Sequence, residues 1–279
     1  MKEKKPQISL ITVSYNSSET IEKTIKSVIN QTYDNIEYII IDGGSTDGTV
    51  DIIKKYKDKI DYWVSETDKN NFDAMNKGIK ASSGDAIFIL NADDILYDRK
   101  IIENVAKRFE KDLSLEIIYG NIVKYYPEHN IAIRAGRNEK NPKIYKNTPP
   151  HQGTFIKKQL INKIGLFDIQ FNCSADTDLL IRCFKTNPET LNIEKDIAIF
   201  RMGGISSNKE VSWREGLKVT KKHFGYKTFL GAYIRNIILE KNIKKILKSL
   251  GLLEYYYRYI LTKFNKKNIV HEIKQKIQN

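Results

Sequence analysis

Apolar positions along the first hundred residues fall into two alternating patterns. Residues 8–15 (ISLITVSY), 36–42 (IEYIIID), 60–65 (IDYWVS) and 86–91 (AIFILN) are short β-rich runs, the signature of strands buried in a sheet. Between them the apolar residues are spaced helically. Ile21, Ile25, Val28 and Ile29 stand at i, i+4, i+7 and i+8, one face of a helix. Asn16-Ser17-Ser18 offers N-cap chemistry ahead of it, and Glu19 and Glu22 place negative charge where the helix dipole favours it. Val50, Ile53 and Tyr56 mark a second helix and residues 72–82 a third. This alternation predicts an α/β fold, a mostly parallel sheet flanked by crossover helices. Residues 127–150 are polar and carry Pro127, Pro142, Pro149 and Pro150, which predicts a long loop, a feature that in compact domains tends to be functional or mobile. No repeat and no low-complexity tract interrupts the pattern.

Ligands of a parallel sheet bind at the carboxyl ends of its strands. Three of the four early strands end in polar clusters: Tyr15-Asn16, Asp42-Gly43-Gly44 and Asn91-Ala92-Asp93-Asp94. Any one of them is ordinary turn chemistry; three on one sheet edge predict a ligand site. Several site classes drop out. A dinucleotide fold needs G-x-G-x-x-G after the first strand, where this chain has SYNSSE. The Gly43–Gly48 spacing suits a phosphate loop, but Thr49-Val50 stand where Lys and Ser/Thr are required. The chain has no C-x₂-C, no H-E-x-x-H and no G-x-S-x-G, which removes those zinc and serine-hydrolase classes.

The carboxylates carry the remaining chemistry. Asp93 and Asp94 leave a buried strand on a turn, and a hard divalent cation that bridges phosphates needs one or two such ligands. The alternative is a cap for a helix near residues 99–112. In Ser174-Ala175-Asp176-Thr177-Asp178, one acid either caps the apolar helix that follows or serves as a general base at its N-terminus.

Composition bounds the picture without redrawing it. The 279 residues are 41% hydrophobic and 29% charged, a globular balance with enough chain for a sizeable core. Lys and Arg number 47 against 34 Asp and Glu, a net charge of +13, which suggests a polyanionic partner such as nucleic acid, an anionic membrane or a phosphorylated ligand. Position matters more than the total. Residues 209–279 hold 17 basic and five acidic residues, a net +12, whereas residues 1–208 net +1. The chain divides into a near-neutral body and a basic tail. Cys173 and Cys183 are too few for a disulfide framework. No apolar run reaches the roughly 18 residues of a membrane span, and MKEKKPQ lacks an apolar signal core, so the expected compartment is the cytoplasm.

The run ISLITVSYNSSETIEKTIKSVINQTYDNIEYIIIDGGSTDGT, followed by AMNKGIKASSGDAIFILNADD, HQGTF, SADTDLLIRC and GGISS, resembles the family 2 inverting glycosyltransferases of the GT-A fold. The resemblance covers roughly residues 6–207 and is closest to bacterial exopolysaccharide and O-antigen enzymes. It implies a catalytic domain over 1–207 and a separate basic helical region over 208–279. It also implies a nucleotide-sugar donor, with UDP favoured, and a glycan or lipid-linked acceptor. By position, Thr12, Val13, Tyr15, Asn16 and Asp42 match the positions that hold base and ribose, Asp68 an acid near the base, and Asn76 with Gly78 the helix packed on the nucleotide. Asn91-Ala92-Asp93 falls on the D-x-D motif. Asp93 therefore matches the acid that holds Mg²⁺ or Mn²⁺ on the diphosphate, with Asp94 second; Asn91 departs from the usual Asp and is expected to contact ribose or a metal-bound water rather than the metal. Asp176 matches the catalytic base, with Ala175 in place of the usual Glu. His151 and Asp178 are further donor or acceptor candidates.

Ile234, Ile237, Ile238 and Leu239, then Ile243, Ile246, Leu247 and Leu250, space helically in the tail, and LLEYYYRYILTKF follows. Aromatic residues and lysines on amphipathic helices suit an anionic membrane surface; a solvated Lys-rich bundle is the plain alternative. Peripheral attachment at the inner face of the cell membrane is the resulting expectation. A nucleic-acid partner is not expected, because the body is near neutral and acidic at its sheet edge. The remaining rival is a catalytically inactive relative that only binds sugar nucleotide, an idea supported by Asn91 and Ala175.

Overall fold

A computed structural model describes residues 5–136, 148–203, 209–234, 249, 252 and 267–278. In chain order the first half runs β1 (Ile8–Ser14), α1 (Ile21–Ile29), β2 (Ile36–Asp42), α2 (Thr49–Lys55), β3 (Tyr62–Ser65), α3 (Asn71–Ala81), β4 (Ala86–Asn91), β5 (Ile95–Leu96) and α4 (Ile101–Lys111). The second half adds β6 (Ile117–Tyr126), β7 (Ile131–Ala135), β8 (Thr154–Lys157), α5 (Lys158–Ile164), α6 (Ala175–Phe184), β9 (Thr190–Arg201), α7 (Lys209–Ile234) and α8 (Lys267–Gln278).

The strands form one mixed sheet in the order β3-β2-β1-β4-β8-β6-β9-β5, with β7 paired to β6. Its first four strands are parallel, as the βα alternation predicts. Side chains leave successive strand positions on opposite faces, so each apolar run feeds two layers. Leu10, Ile40 and Phe88 meet Ile21, Ile25, Ile53, Val105 and Phe109 on one face. Ile11, Ile41 and Ile87 meet Phe72, Met75, Ile79, Leu160 and Leu179 on the other. A sheet covered on both faces needs such near-continuous apolar strands. Gly78 allows α3 to lie close on the sheet: a Cβ there would stand 2.4 Å from Ile11 Cγ2.

Two local expectations need correction. The stretch read as a loop over 127–150 contains β7, antiparallel to β6; residues 137–147 lie outside the described set. Its consecutive apolar Ile131, Ala132 and Ile133 are a short strand signal that the prolines and polar residues around them obscured. Helix α1 begins later than Asn16-Ser17-Ser18 implies: Thr20 is its N-cap, without a side-chain capping bond, and the Ser17 carbonyl accepts from Thr20 N and Ile21 N. Asn16 instead takes a left-handed turn, φ +46°.

The basic segment does not begin as a detached tail. Val219 of α7 is buried in the layer that holds α6. Ile273 of α8 is buried with Ile95, Val123, Ala132 and Ile199 at the far edge of the sheet. Helix α7 breaks at Gly225 (φ +77°). Most of the apolar spacing and the tyrosine cluster beyond Ile234 lies outside the described residues.

Candidate active site

Strand register assembles the carboxyl edge. Ser14 stands opposite Asp42, Asp42 opposite Ser65, and Val13 opposite Asn91. The turns after β1, β2 and β4, and the segment after β3, therefore open along one rim.

Asp42 organises that rim from below. Its Oδ1 accepts the hydroxyls of Ser14 (2.9 Å) and Ser45 (2.6 Å), and its Oδ2 accepts Gly44 N (3.2 Å), Ser45 N (2.9 Å) and the Ser65 hydroxyl (2.6 Å). The side chain is fully buried. Burial alone would raise its pKa; the hydroxyls of Ser45, Ser65 and Ser14 and the Ser45 amide outweigh it and hold the carboxyl below its usual range. The loop after β2 is stapled to the loop after β1 as well. Asn16 Oδ1 accepts Thr46 N, Ser17 N donates to the Thr49 hydroxyl, and Ser18 N donates to Asp47. Tyr15 is left exposed at the rim.

Asp68 faces this rim from the segment after β3. Its Oδ2 would lie 3.2 Å from a Cβ on Gly43, beside the Tyr15 ring. Lys77 Nζ sits 2.7 Å from Oδ1, an ion pair, and Oδ2 is buried with no hydrogen-bond partner. Burial pushes the Asp68 pKa up, and Lys77 offsets only part of that. An acceptor held in this way is matched by an incoming N–H donor.

The turn after β4 sorts its two acids. Asp94 is fully buried; its Oδ1 accepts Arg201 N (3.0 Å) and its Oδ2 accepts the Asn91 amide (3.1 Å). Burial, with Asp93 adjacent, raises its pKa well above the usual range. Asp94 thus ties the turn to the end of β9 and does not face the rim as a second metal ligand would. Nor does either acid cap a helix, since Lys100 is the N-cap of α4. Asp93 is half-buried, its pKa raised by burial and partly offset by Arg201. Asn91 Oδ1 is buried without a partner. A carboxylate and an amide oxygen are hard donors that suit Mg²⁺ or Mn²⁺. Among the described residues no three His, Cys, Asp or Glu side chains cluster as a metal site; an ion that shares its shell with phosphate and water needs fewer.

Asp176 is the second residue of α6. One oxygen accepts Thr177 N (2.7 Å), and the other meets His151 Nδ1 at 3.2 Å. The carboxylate accepts, so Nδ1 carries the hydrogen; Nε2 is buried without a partner. Both residues border an apolar pocket that reaches Ile87 and Ile89 of β4, which sets the acid beside the strand that ends at Asn91.

Other expected contacts lie elsewhere. Thr12 is buried in the sheet against Tyr38 (3.2 Å), and Val13 is core, so neither side chain reaches the rim. Asn76 uses both ends of its amide on Phe167, accepting from its N (2.9 Å) and donating to its O (3.0 Å). It joins α3 to the chain before α6. Asp178 is buried under Arg182 (2.9 Å), Lys222 (2.8 Å) and His223 (2.8 Å), an ionic hub far from the role of donor or acceptor contact. Sequence reasoning missed Ser45, Ser65, Lys77 and Glu215. Ser45 and Lys77 belong to the quoted IDGGSTDGT and AMNKGIK runs, but Ser65 and Glu215 follow no motif and emerge only from tertiary packing.

Comparison with known proteins agrees with this architecture. The model of the family described as Glycosyl transferase family 2 matches residues 9–184. An uncharacterised glycosyltransferase of Mycobacterium tuberculosis is 29% identical over 213 residues, 74% of this chain and 79% of the relative. The PGL/p-HBAD biosynthesis glycosyltransferase of Mycobacterium bovis is 26% identical over 208 residues, 72% and 80% of the two chains. Among solved structures, Staphylococcus aureus TarS 1–349 in complex with UDP-GlcNAc superposes with TM-score 0.63 at 16% identity, covering 87% of this chain and 76% of the other. The Pyrobaculum calidifontis mannosyltransferase PcManGT, in complex with GDP-Man and Mn²⁺, gives TM-score 0.63 at 14% identity over 92% and 83%. At such identities the structural likeness speaks to fold.

Proposed function

The chain belongs to glycosyl transferase family 2 and is a glycosyltransferase; on that premise we propose that it transfers a sugar, with inversion, from a nucleotide-diphosphate donor to a hydroxyl of a glycan or lipid-linked acceptor in surface polysaccharide or glycolipid synthesis. The observation that carries this reading is where the unpartnered polar atoms lie. Asp68 Oδ2, Asn91 Oδ1 and His151 Nε2 are buried without hydrogen bonds, and all belong to the rim or to the neighbourhood of Asp176. Buried polar groups are normally satisfied, and a bound polar ligand supplies the missing partners.

Asp68, Tyr15 and the loops held by Asn16 and Asp42 form the nucleoside end. The unpartnered Oδ2 of Asp68 suits an N–H of the base, and UDP is the favoured donor nucleotide, in keeping with the UDP-GlcNAc complex of TarS. Asp93 would hold a divalent cation, Mn²⁺ or Mg²⁺, with Asn91 Oδ1 as the neighbouring hard donor, and that cation would neutralise charge on the leaving diphosphate. Asp176 removes the proton from the acceptor hydroxyl. The acceptor oxygen bonds to the anomeric carbon on the face opposite the diphosphate, and the carbon–oxygen bond to phosphate breaks. An α-linked donor thus gives a β-linked product. His151 holds the base by its Oδ2. A thermal-shift and hydrolysis screen of UDP-, GDP- and dTDP-sugars, with and without Mn²⁺, tests the reading. Metal-dependent stabilisation and turnover by one nucleotide class are expected. Stabilisation without turnover would identify the inactive, binding-only relative instead.

The same reading places the enzyme peripherally on the cytoplasmic face of the membrane. No helix among the described residues is long and apolar enough to cross a bilayer. Beyond Gly225, exposed Tyr226, Leu230 and Ile234 recur every four residues on α7, with Lys221 against the Tyr226 ring. Aromatic and aliphatic residues beside lysines suit an anionic lipid surface. Vesicles containing phosphatidylglycerol should sediment the protein, and pure phosphatidylcholine vesicles should not.

A further inference from the structure

The helix that carries Asp176 is held at its start by a residue of the basic segment. Ser174 is the N-cap of α6, yet its side chain makes no capping bond. Glu215 of α7 reaches in instead. Its Oε1 accepts Asn172 N at 2.9 Å, and its Oε2 accepts Cys173 N at 2.7 Å and Ser174 N at 3.1 Å. The Glu215 side chain is buried. Three consecutive backbone amides on one buried carboxylate fix the path by which the chain enters the helix; hydrogen bonds to charged groups are the stronger kind, and negative charge is favoured at a helix N-terminus.

A second attachment lies one turn further on. Asp178 of α6 is buried beneath Lys222 and His223 of α7. Lys185 Nζ faces His223 Nδ1 at 3.3 Å, which leaves Nδ1 to accept and Nε2 to donate to Asp178. Glu215, Val219, Lys222 and His223 stand at i, i+4, i+7 and i+8, one face of α7. Asp176 therefore sits two residues after one anchor and two before the other, while His151 holds its Oδ2 from the opposite side.

We propose that Glu215 is a positioning residue for the base: through the amides of residues 172–174 it sets where Asp176 stands. This makes the start of the basic segment part of the catalytic unit. The proposal rests on the reading of Asp176 as the base. Displacement of a reacting group by about 1 Å costs on the order of 10²-fold in rate, so loss of this anchor should appear in turnover before it appears in donor binding.

The test compares Glu215→Ala, Glu215→Gln, Val219→Ala and Asp176→Asn in the full chain, with the nucleotide sugar that turns over in the screen above. Measurements are kcat, the Kd of the matching nucleoside diphosphate, and Tm. Glu215→Ala should lower kcat about tenfold or more with nucleotide affinity within about twofold of wild type. Glu215→Gln keeps one accepting oxygen for Cys173 N and Ser174 N and should recover much of the loss. Val219 is buried on the same helix face, so Val219→Ala should lower Tm while leaving kcat within about twofold. The proposal is overturned if Glu215→Ala keeps wild-type kcat while Asp176→Asn abolishes turnover. It is overturned equally if Glu215→Ala loses nucleotide affinity and kcat together, or if Val219→Ala loses as much kcat, since either marks general loosening. If Glu215→Ala does not fold, Glu215→Gln decides by the same split of kcat from affinity. Turnover retained by Asp176→Asn would remove the base reading itself, and this proposal with it.

Discussion

Replacing Asp42 should cost more than the loss of a single contact, because one buried side chain holds three strand ends and a loop. In Asp42→Ala five donors lose their acceptor: the hydroxyls of Ser14, Ser45 and Ser65 and the amides of Gly44 and Ser45. The hydroxyls can turn to new partners; the two amides cannot. An unsatisfied buried donor costs about 1–3 kcal/mol, and these loop amides are only half-buried, so each falls near the lower end. With the vacated space added, a loss of about 3 kcal/mol is expected, or roughly 6–12 °C in Tm at about 2–4 °C per kcal/mol for a domain of this size. Asp42→Asn should cost only about 1 kcal/mol: its carbonyl retains both amides, and the serine hydroxyls can accept from its new NH₂. The pH dependence has a fixed sign. The folded carboxyl is held below its usual range, so its contribution is complete above the unfolded value of about 3.9 and is lost as pH falls through the folded one. Thermal melts of the three proteins between pH 7 and pH 3 read both effects. An Asp42→Ala protein within 0.5 kcal/mol of wild type (well under the ~1 kcal/mol of one lost bond), or an Asp42→Asn protein as damaged as Asp42→Ala, would refute the reasoning.

Other changes test other parts of the molecule. Asp178→Ala should cost about 2–4 kcal/mol in urea unfolding, because it strips the buried counter-ion from Arg182 and Lys222; a loss below 1 kcal/mol would mean that the hub is dispensable. Burial lowers the His223 pKa. The folded state thus binds its proton less readily than the unfolded chain, and stability should fall as pH drops below about 6.5. His223→Gln keeps a donor toward Asp178 and should flatten that decline; an unchanged slope between pH 6.5 and 5 would assign it elsewhere. Gly78→Ala should destabilise by about 1–2 kcal/mol, since overpacking against Ile11 outweighs the helical gain; a stabilised variant would show that α3 can withdraw from β1. Asp93→Ala should abolish the Mn²⁺-dependent part of donor stabilisation in thermal shift, and an undiminished metal effect would remove Asp93 from the metal site.

The fold was legible where periodicity was strong. The four early strands and three intervening helices appear close to their expected bounds, because strands buried on both faces must be apolar throughout and their crossovers amphipathic. Strand β7 was hidden among prolines in a polar stretch, and the burial of Ile273 depends on contacts with residues distant in the chain, from Ile95 to Ile199. The site was legible as an edge but not as a set of directions. The polar ends of β1, β2 and β4 do converge, yet adjacency along the chain does not say which side chain faces outward. Asp93 and Asp94 look equivalent in sequence; one is half-buried and the other is locked to Arg201 N and Asn91. Asp176 and Asp178 differ in the same way, since a two-residue step along a helix turns the side chain by about 200°. Glu215 was indistinct because its role lies in the fold of α7 onto α6, and along the chain it is only one of five acids in a basic segment.

The claim that Asp176 is the base of an inverting transfer meets its most direct test in the turnover of Asp176→Asn at saturating donor. The substitution preserves shape and the Thr177 amide contact while removing proton-accepting capacity. General-base catalysis contributes about 10²–10⁴-fold, so kcat should fall by at least roughly 10²-fold with nucleotide affinity intact. Turnover within about tenfold of wild type, short of the ~10²-fold floor for a lost base, would contradict the assignment and place proton removal on another group.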